Sequence, residues 1–166
     1  CWHSGETPSY LTIVARGNHG GYMQHGDHDG KGTYTKDELL ANIRTALGGR
    51  AAEMVYYGVP DGISTGASGD LRSATNTARH IICTYGMDDS FGLAVIDSEA
   101  ATAGELADEV RSAINRILSE ELDRAVALIT ENKRAIDAIV SVLLSKNHLT
   151  ASEIDNIFKK YAKQKK

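Results

Sequence analysis

The amino-acid sequence predicts a mainly α-helical domain with a small N-terminal β element. Three observations carry that expectation. From Thr35 onward, apolar residues recur at three- and four-residue spacing, the period of a helix with one buried face. Thr35-Lys-Asp-Glu38, Thr102-Ala-Gly-Glu105 and Thr150-Ala-Ser-Glu153 each have the pattern of a capping box, in which hydroxyl and carboxylate satisfy orphan amides reciprocally. Before Thr35 the convincing strand signal is Leu11-Thr-Ile-Val-Ala15, short and β-branched, in a stretch rich in glycine and histidine.

Taken in order, Leu11 to Ala15 reads as a strand and Arg16 to Gly21 as a turn-rich connection. Tyr22-Met-Gln24 reads as a returning strand, and Gly26 to Gly32 as loop. The box at Thr35 opens a helix with Leu40, Ile43, Leu47, Ala51 and Val55 on one face. Gly48-Gly49 lies inside it; each glycine costs about 1 kcal/mol against alanine, so close packing against another backbone is expected there. That helix ends near Gly58, and Pro60-Asp-Gly62 is a turn. Ser68 is the expected N-cap of the next helix, whose buried stripe is Leu71, Ala74, Ala78, Ile81, Ile82 and Tyr85 and which stops near Gly86. Gly92 to Ile96 reads as a short strand. Thr102 opens a long helix carrying Leu106, Val110, Ala113, Ile117, Leu118, Leu122, Ala125 and Ile129. The stripe restarts after Asn132 as Ile136, Ile139, Val140, Leu143 and Leu144, and Thr150 opens a last helix with Ile154, Ile157, Phe158 and Tyr161.

At 166 residues the chain is long enough for one domain with a real core, or for a compact unit with a helical appendage. A net charge of −4 implies no broad basic surface, so no nucleic-acid partner is expected. The basic tail, Lys159, Lys160, Lys163, Lys165 and Lys166, reads as a solvated helix end. Cys83 sits within a helical pattern and reads as a small core residue; with Cys1 it suggests no disulfide scaffold. No apolar run reaches bilayer length, and no signal peptide is expected. The chain starts on Cys1-Trp2-His3 without a methionine and is expected to be a piece of something longer.

Few residues suggest chemistry by themselves. His25-Gly-Asp-His28-Asp29 contains metal-ligating residue types, but a glycine-rich loop does not hold ligands in place, and a solvated loop is the favoured reading. Gly26 to Thr33 fails the phosphate-loop pattern, because three residues separate Gly26 from Gly30 and Gly32 follows Lys31. There is no His-Glu-x-x-His. Asp70 stands in the first turn of its helix, where the dipole favours a negative charge. On the residues alone it is an ordinary first-turn acid.

Blocks spread along the chain resemble the peptidase domain of the FtsH family, membrane-anchored AAA+ zinc proteases. They are Leu11-Thr-Ile-Val-Ala-Arg-Gly17, Gly20-Gly-Tyr-Met-Gln24, Tyr34-Thr-Lys-Asp-Glu-Leu-Leu40, Leu47-Gly-Gly-Arg-Ala-Ala-Glu53, Ser64-Thr-Gly-Ala-Ser-Gly-Asp-Leu71, Ala74-Thr-Asn-Thr-Ala-Arg79 and Tyr85-Gly-Met87. The blocks ending in Glu53 and Leu71 are the specific ones. The resemblance covers residues 9 to about 96 closely, and the later helices in pattern and length.

It implies a helical metallopeptidase fold, with a peptidase core over 1–98 (its zinc-ligand helix from about residue 68) and a C-terminal helical part of the same domain over 99–166. It also implies a third zinc ligand at Asp70, the other two being the histidines of a His-Glu-x-x-His helix. The open fourth position of such a site holds a water that the metal acidifies and the motif glutamate deprotonates for attack on a peptide carbonyl. Tyr22, Met23 and Gln24 resemble the strand beside the active-site cleft, which can pair with an extended substrate.

The sequence departs from that pattern. Two ligands and the general base are absent, so no catalytic residue is expected in this chain and its zinc site is expected to be incomplete. The His-Glu-x-x-His helix is expected immediately before Cys1. Met54 stands where the family often has a second glutamate, and the Tyr57 to Ser64 connection is slightly long.

The ATPase module that uses ATP and the membrane segment are likewise outside these residues. The expected parent is a hexameric, membrane-anchored enzyme acting on polypeptide substrates, its peptidase domain on the cytoplasmic side; the piece itself is expected to be soluble and inactive. The alternative is a helical assembly or adaptor module of the same fold without catalysis.

Overall fold

The computed structural model describes residues 8–15, 22–24, 32–97, 99–104 and 106–161. Among them are strands β1 (Tyr10–Thr12), β2 (Tyr22–Gln24) and β3 (His148–Thr150). The helices are α1 (Lys36–Ala46), α2 (Gly48–Tyr57), α3 (Ser68–Cys83), α4 (Ala107–Glu131), α5 (Lys133–Lys146) and α6 (Ala151–Tyr161), with a 3-10 turn over Thr65–Ala67. The fold is mainly α with one small sheet, as expected. The chain forms two compact units, 33–127 and a second that joins the first 32 residues to those from Leu128 on. Arg16 to Gly21, His25 to Asp29, Cys1, Glu105 and the end of the lysine tail lie outside the described residues.

In the 33–127 unit, α1 begins with the expected box. Thr35 Oγ1 accepts from the Glu38 amide at 3.3 Å, and Glu38 Oε2 accepts from the Thr35 amide at 2.8 Å. The expected single helix over Thr35 to Gly58 is two. Leu47 (φ −76°, ψ −4°) caps α1 and precedes α2. The glycine pair stands at that break, where its poor helix propensity puts the interruption. A Cβ on Gly48 or Gly49 would meet nothing within 4 Å, so the close backbone approach expected there is not present.

The core of this unit is built by Leu39, Ile43 and Leu47 of α1, Ala74, Ala78, Ile81 and Ile82 of α3, and Val110, Ala113, Ile114 and Ile117 of α4. Cys83 joins it as a buried free thiol. Tyr85 is half exposed, because α3 ends at Cys83 and the tyrosine falls off the stripe. Asp88 is buried and bonds Arg116 of α4 at 2.7 Å and the Ser90 amide at 3.0 Å.

Two expectations between α3 and α4 fail. Gly92 to Ile96 is not a strand. Gly92 takes φ +65° to close a turn on Asp88, and Leu93 and Val95 are 90% and 72% exposed. Thr102 does not open α4, which begins at Ala107. Asp97 already caps a turn there, its carboxylate accepting from the Ala100 amide at 2.8 Å, and the Thr102 hydroxyl donates to Glu99 O instead. Glu121 of α4 is 1% exposed. Its carboxylate accepts from Arg44 Nε of α1 at 2.7 Å and from Arg124 at 2.6 Å, so its charge is paired on both oxygens.

In the second unit the antiparallel sheet has the order β2-β1-β3. Leu11 pairs with Met23 on one side and Leu149 on the other. Leu11 and Leu149 pack with Ile139 and Leu143 of α5 and Ile154 of α6. Tyr10 lies 6.0 Å from the Tyr22 ring and 5.9 Å from His148, ring centre to centre. The expected strand over Leu11 to Ala15 is displaced to Tyr10–Thr12, and β3, from the C-terminal region, has no counterpart in the sequence reading. Of the expected α5 stripe, Ile139 and Leu143 are buried while Val140 and Leu144 are exposed. No helix among the described residues is long and apolar enough to cross a membrane.

The box at Thr150 is present through its glutamate. Glu153 Oε2 accepts from the Thr150 amide and hydroxyl, both at 3.0 Å, and Glu153 Oε1 from Lys146 Nζ at 2.7 Å. Lys146 above all, then Thr150, lowers the Glu153 carboxyl from 4.5 to about 2. A carboxyl depressed in the folded state contributes stability above its unfolded value that is lost as pH falls through the folded one. In urea titrations the gap between the native chain and Glu153→Gln is therefore expected to be full above pH 4.5 and to close toward pH 2.

Candidate functional site

The first turn of α3 is positioned by the segment that leads into it. Arg50 and Glu53 of α2 are three residues apart and so share a helix face, where they pair at 3.4 Å. After α2 the chain folds back tightly: Gly58 takes φ +83°, and the Gly62 amide donates to Gly58 O at 3.1 Å. A Cβ on Gly62 would collide with the Tyr57 Cβ and with Gly58 O, so only glycine fits this turn. The reversal returns Ser64 to α2. Its hydroxyl donates to Glu53 Oε1, its amide donates to Glu53 Oε2 at 3.3 Å, and its carbonyl accepts from Arg50 Nη2 at 2.9 Å.

The same hydroxyl accepts from the Gly66 amide at 3.1 Å and so caps the 3-10 turn. The expected cap, Ser68, is instead the first residue of α3, and no side chain caps that helix at Ala67. The reason is local. The 3-10 turn runs straight into α3, so the first orphan amides occur after Ser64, and its hydroxyl meets them. The Ser64 hydroxyl chiefly, with the Ser64 amide and the Arg50 charge, holds Glu53 below the usual carboxylate range against a smaller opposing effect of burial.

Asp70 stands in the first turn of α3, as expected, and its side chain is exposed. No hydrogen bond or ion pair among the described residues engages its carboxylate. It is thus free to ligate, at a helix end that favours negative charge. It is a single donor, however. Among the described residues no group of three or more His, Cys, Asp or Glu is placed to hold a metal ion. These residues alone do not form a zinc site. His25 and His28 lie outside the described residues. Tyr22, Met23 and Gln24 form β2, an edge strand of the other unit with all three residues exposed.

Sequence reasoning singled out Asp70 but not the residues that hold its turn. Arg50, Glu53 and Ser64 all occur in the two most specific sequence blocks, and the structure shows those blocks bonded to each other.

Comparison with known proteins covers most of the chain. A family model described as peptidase family M41 matches residues 2–157. An ATP-dependent zinc metalloprotease FtsH from Veillonella parvula is 36% identical over 162 residues, covering 90% of this chain and 25% of the relative. The FtsH protein of Acholeplasma laidlawii is 34% identical, covering 91% of the chain and 25% of its own length. The ATP-dependent zinc metalloprotease FTSH 2, chloroplastic, of Oryza sativa is 31% identical over 91% of the chain and 24% of the relative. The chain spans about a quarter of the length of the curated relatives it matches.

Because a Cβ at Gly62 overlaps backbone, Gly62→Ala is expected to destabilise the 33–127 unit by about 1–3 kcal/mol in urea unfolding.

Proposed function

The chain belongs to peptidase family M41, and from that premise we propose that it is part of the proteolytic domain of an ATP-dependent zinc metalloendopeptidase that degrades membrane and soluble proteins. The observation that carries this reading is the place of Asp70. It stands in the Ser64-Thr-Gly-Ala-Ser-Gly-Asp-Leu71 block, in a chain whose match to the family runs over 2–157, and its carboxylate is exposed on a helix first turn and unengaged among the described residues. In this reading Asp70 is one zinc ligand, and the remaining donors come from outside the described residues.

The edge position of β2 supports a second part of the reading. A strand at the end of the order β2-β1-β3 leaves one side of its backbone without a strand partner among the described residues. An extended polypeptide substrate can add there through main-chain hydrogen bonds at Tyr22, Met23 and Gln24. Assembly into a hexamer, use of ATP by a separate module and anchoring in a membrane, with the peptidase domain on the cytoplasmic side, belong to the same proposal. They concern the whole protein, of which relatives of this kind are about four times as long.

In the full-length protein, Asp70→Ala is expected to lower zinc content and to cut cleavage of an unfolded polypeptide by at least about 100-fold, the scale on which ligand-shell defects act. Calorimetric zinc titration of the 166-residue chain is expected to give no tight one-to-one binding. Tight binding abolished by Asp70→Ala would show that the chain holds a complete site. Tight binding that survives the substitution would move the ligands to His25 and His28. A zinc-loaded full-length protein that consumes ATP but cleaves nothing would favour the non-catalytic assembly module.

A further inference from the structure

We propose that Arg50, Glu53 and Ser64 form a positioning clamp that fixes the start of α3 and thereby the direction in which Asp70 is presented. The inference rests on the reading above for what the turn is held to do. The helix is anchored in two ways along its length. From Ala74 on, buried Ala74, Ala78, Ile81 and Ile82 lock it into the core. Ser68, Gly69 and Asp70 precede that stripe and are exposed, so apolar burial does not hold them. Gly69 adds backbone freedom in the same turn.

Ala67 before these three residues is buried and Leu71 after them packs partly on the core, and between these two the added hold is polar. Ser64 is gripped through hydroxyl, amide and carbonyl, and each bond involves a charged partner on α2. Such bonds are stronger than neutral ones and directional. The frame behind them is firm, since Ala51, between Arg50 and Glu53 in sequence, is fully buried. The clamp then passes to α3 in two short steps. The Ser64 hydroxyl that donates to Glu53 also accepts from the Gly66 amide. That bond caps the Thr65–Ala67 turn, which continues without interruption into Ser68 and Asp70. Among the described residues no hydrogen bond or ion pair joins the clamp to Asp70, so these are positioning residues.

A staple that only adds stability and a clamp that sets one turn differ in where the effect appears. Amide exchange and 13Cα chemical shifts of the 166-residue chain separate them. In Glu53→Ala, amides from Gly66 to Leu71 are expected to exchange about tenfold faster or more, as loss of charge-assisted bonds implies. The helical 13Cα shifts of Ser68 to Asp70 are expected to move toward coil values, while amides from Ala78 to Ile82 keep their rates.

Glu53→Gln, whose single amide oxygen can accept only one of the two Ser64 bonds, is expected to fall between Glu53→Ala and the native pattern. Should Glu53→Ala fail to fold, Ser64→Ala, in an exposed loop, is expected to show the same local signature. An unchanged first turn, or exchange raised by one factor along all of α3, overturns the clamp. Asp70→Asn is expected to leave these signals in place. The fate of the ligand reading is decided by zinc titration, so the two are distinguishable.

Discussion

The 33–127 unit depends on how closely α3 lies on α1. Ala74 and Ala78 of α3 are small and buried, in the same core as Ile43 and Leu47 of α1. Small residues let helix axes approach, and Ile81 and Ile82 of α3 share one core with Val110, Ile114 and Ile117 of α4. The course of the helix that carries Asp70 follows from this contact. Once α3 is held along its second half, the only freedom left at its start is how the first turn unwinds or stays wound.

That freedom is limited by polar means beside the apolar contacts of Ala67 and Leu71. The reversal at Gly58 and Gly62 carries Ser64 back to the face of α2 that bears Arg50 and Glu53. Core and clamp are therefore separate devices in one unit. One fixes where α3 runs, and the other fixes how it begins. The result is a carboxylate with no hydrogen-bond or ion-pair partner among the described residues, on a turn held by residues to which it is not bonded.

Much of this was legible in the sequence. The stripe of α3, the boxes at Thr35 and Thr150, the buried Cys83 and the first-turn place of Asp70 all follow from spacing and capping chemistry. The failures share a cause: local patterns were outcompeted by neighbours that periodicity does not show. Asp97 organised the turn that Thr102 was expected to begin as a helix. Gly92 spent its positive φ on a turn, leaving Leu93 and Val95 without a strand partner. Ser64, bonded to α2, took the capping role expected of Ser68. The strand His148–Thr150 depends on pairing with Tyr10–Thr12, a contact far apart in sequence and invisible to a local window.

The buried carboxylate of Glu121 bears on how the chain finds its structure. It meets Arg44 of α1 on one oxygen and Arg124, three residues along its own helix, on the other. A collapsed form in which α1 had slipped by a turn along α4 would still bury apolar surface well. It would also strand half of a desolvated negative charge, at a cost of several kcal/mol. Greasy contacts alone tolerate such slippage, whereas an ion pair of fixed reach does not. Glu121 thus acts as a register mark between two helices far apart in the chain, penalising near-native packings that the hydrophobic stripe by itself would accept.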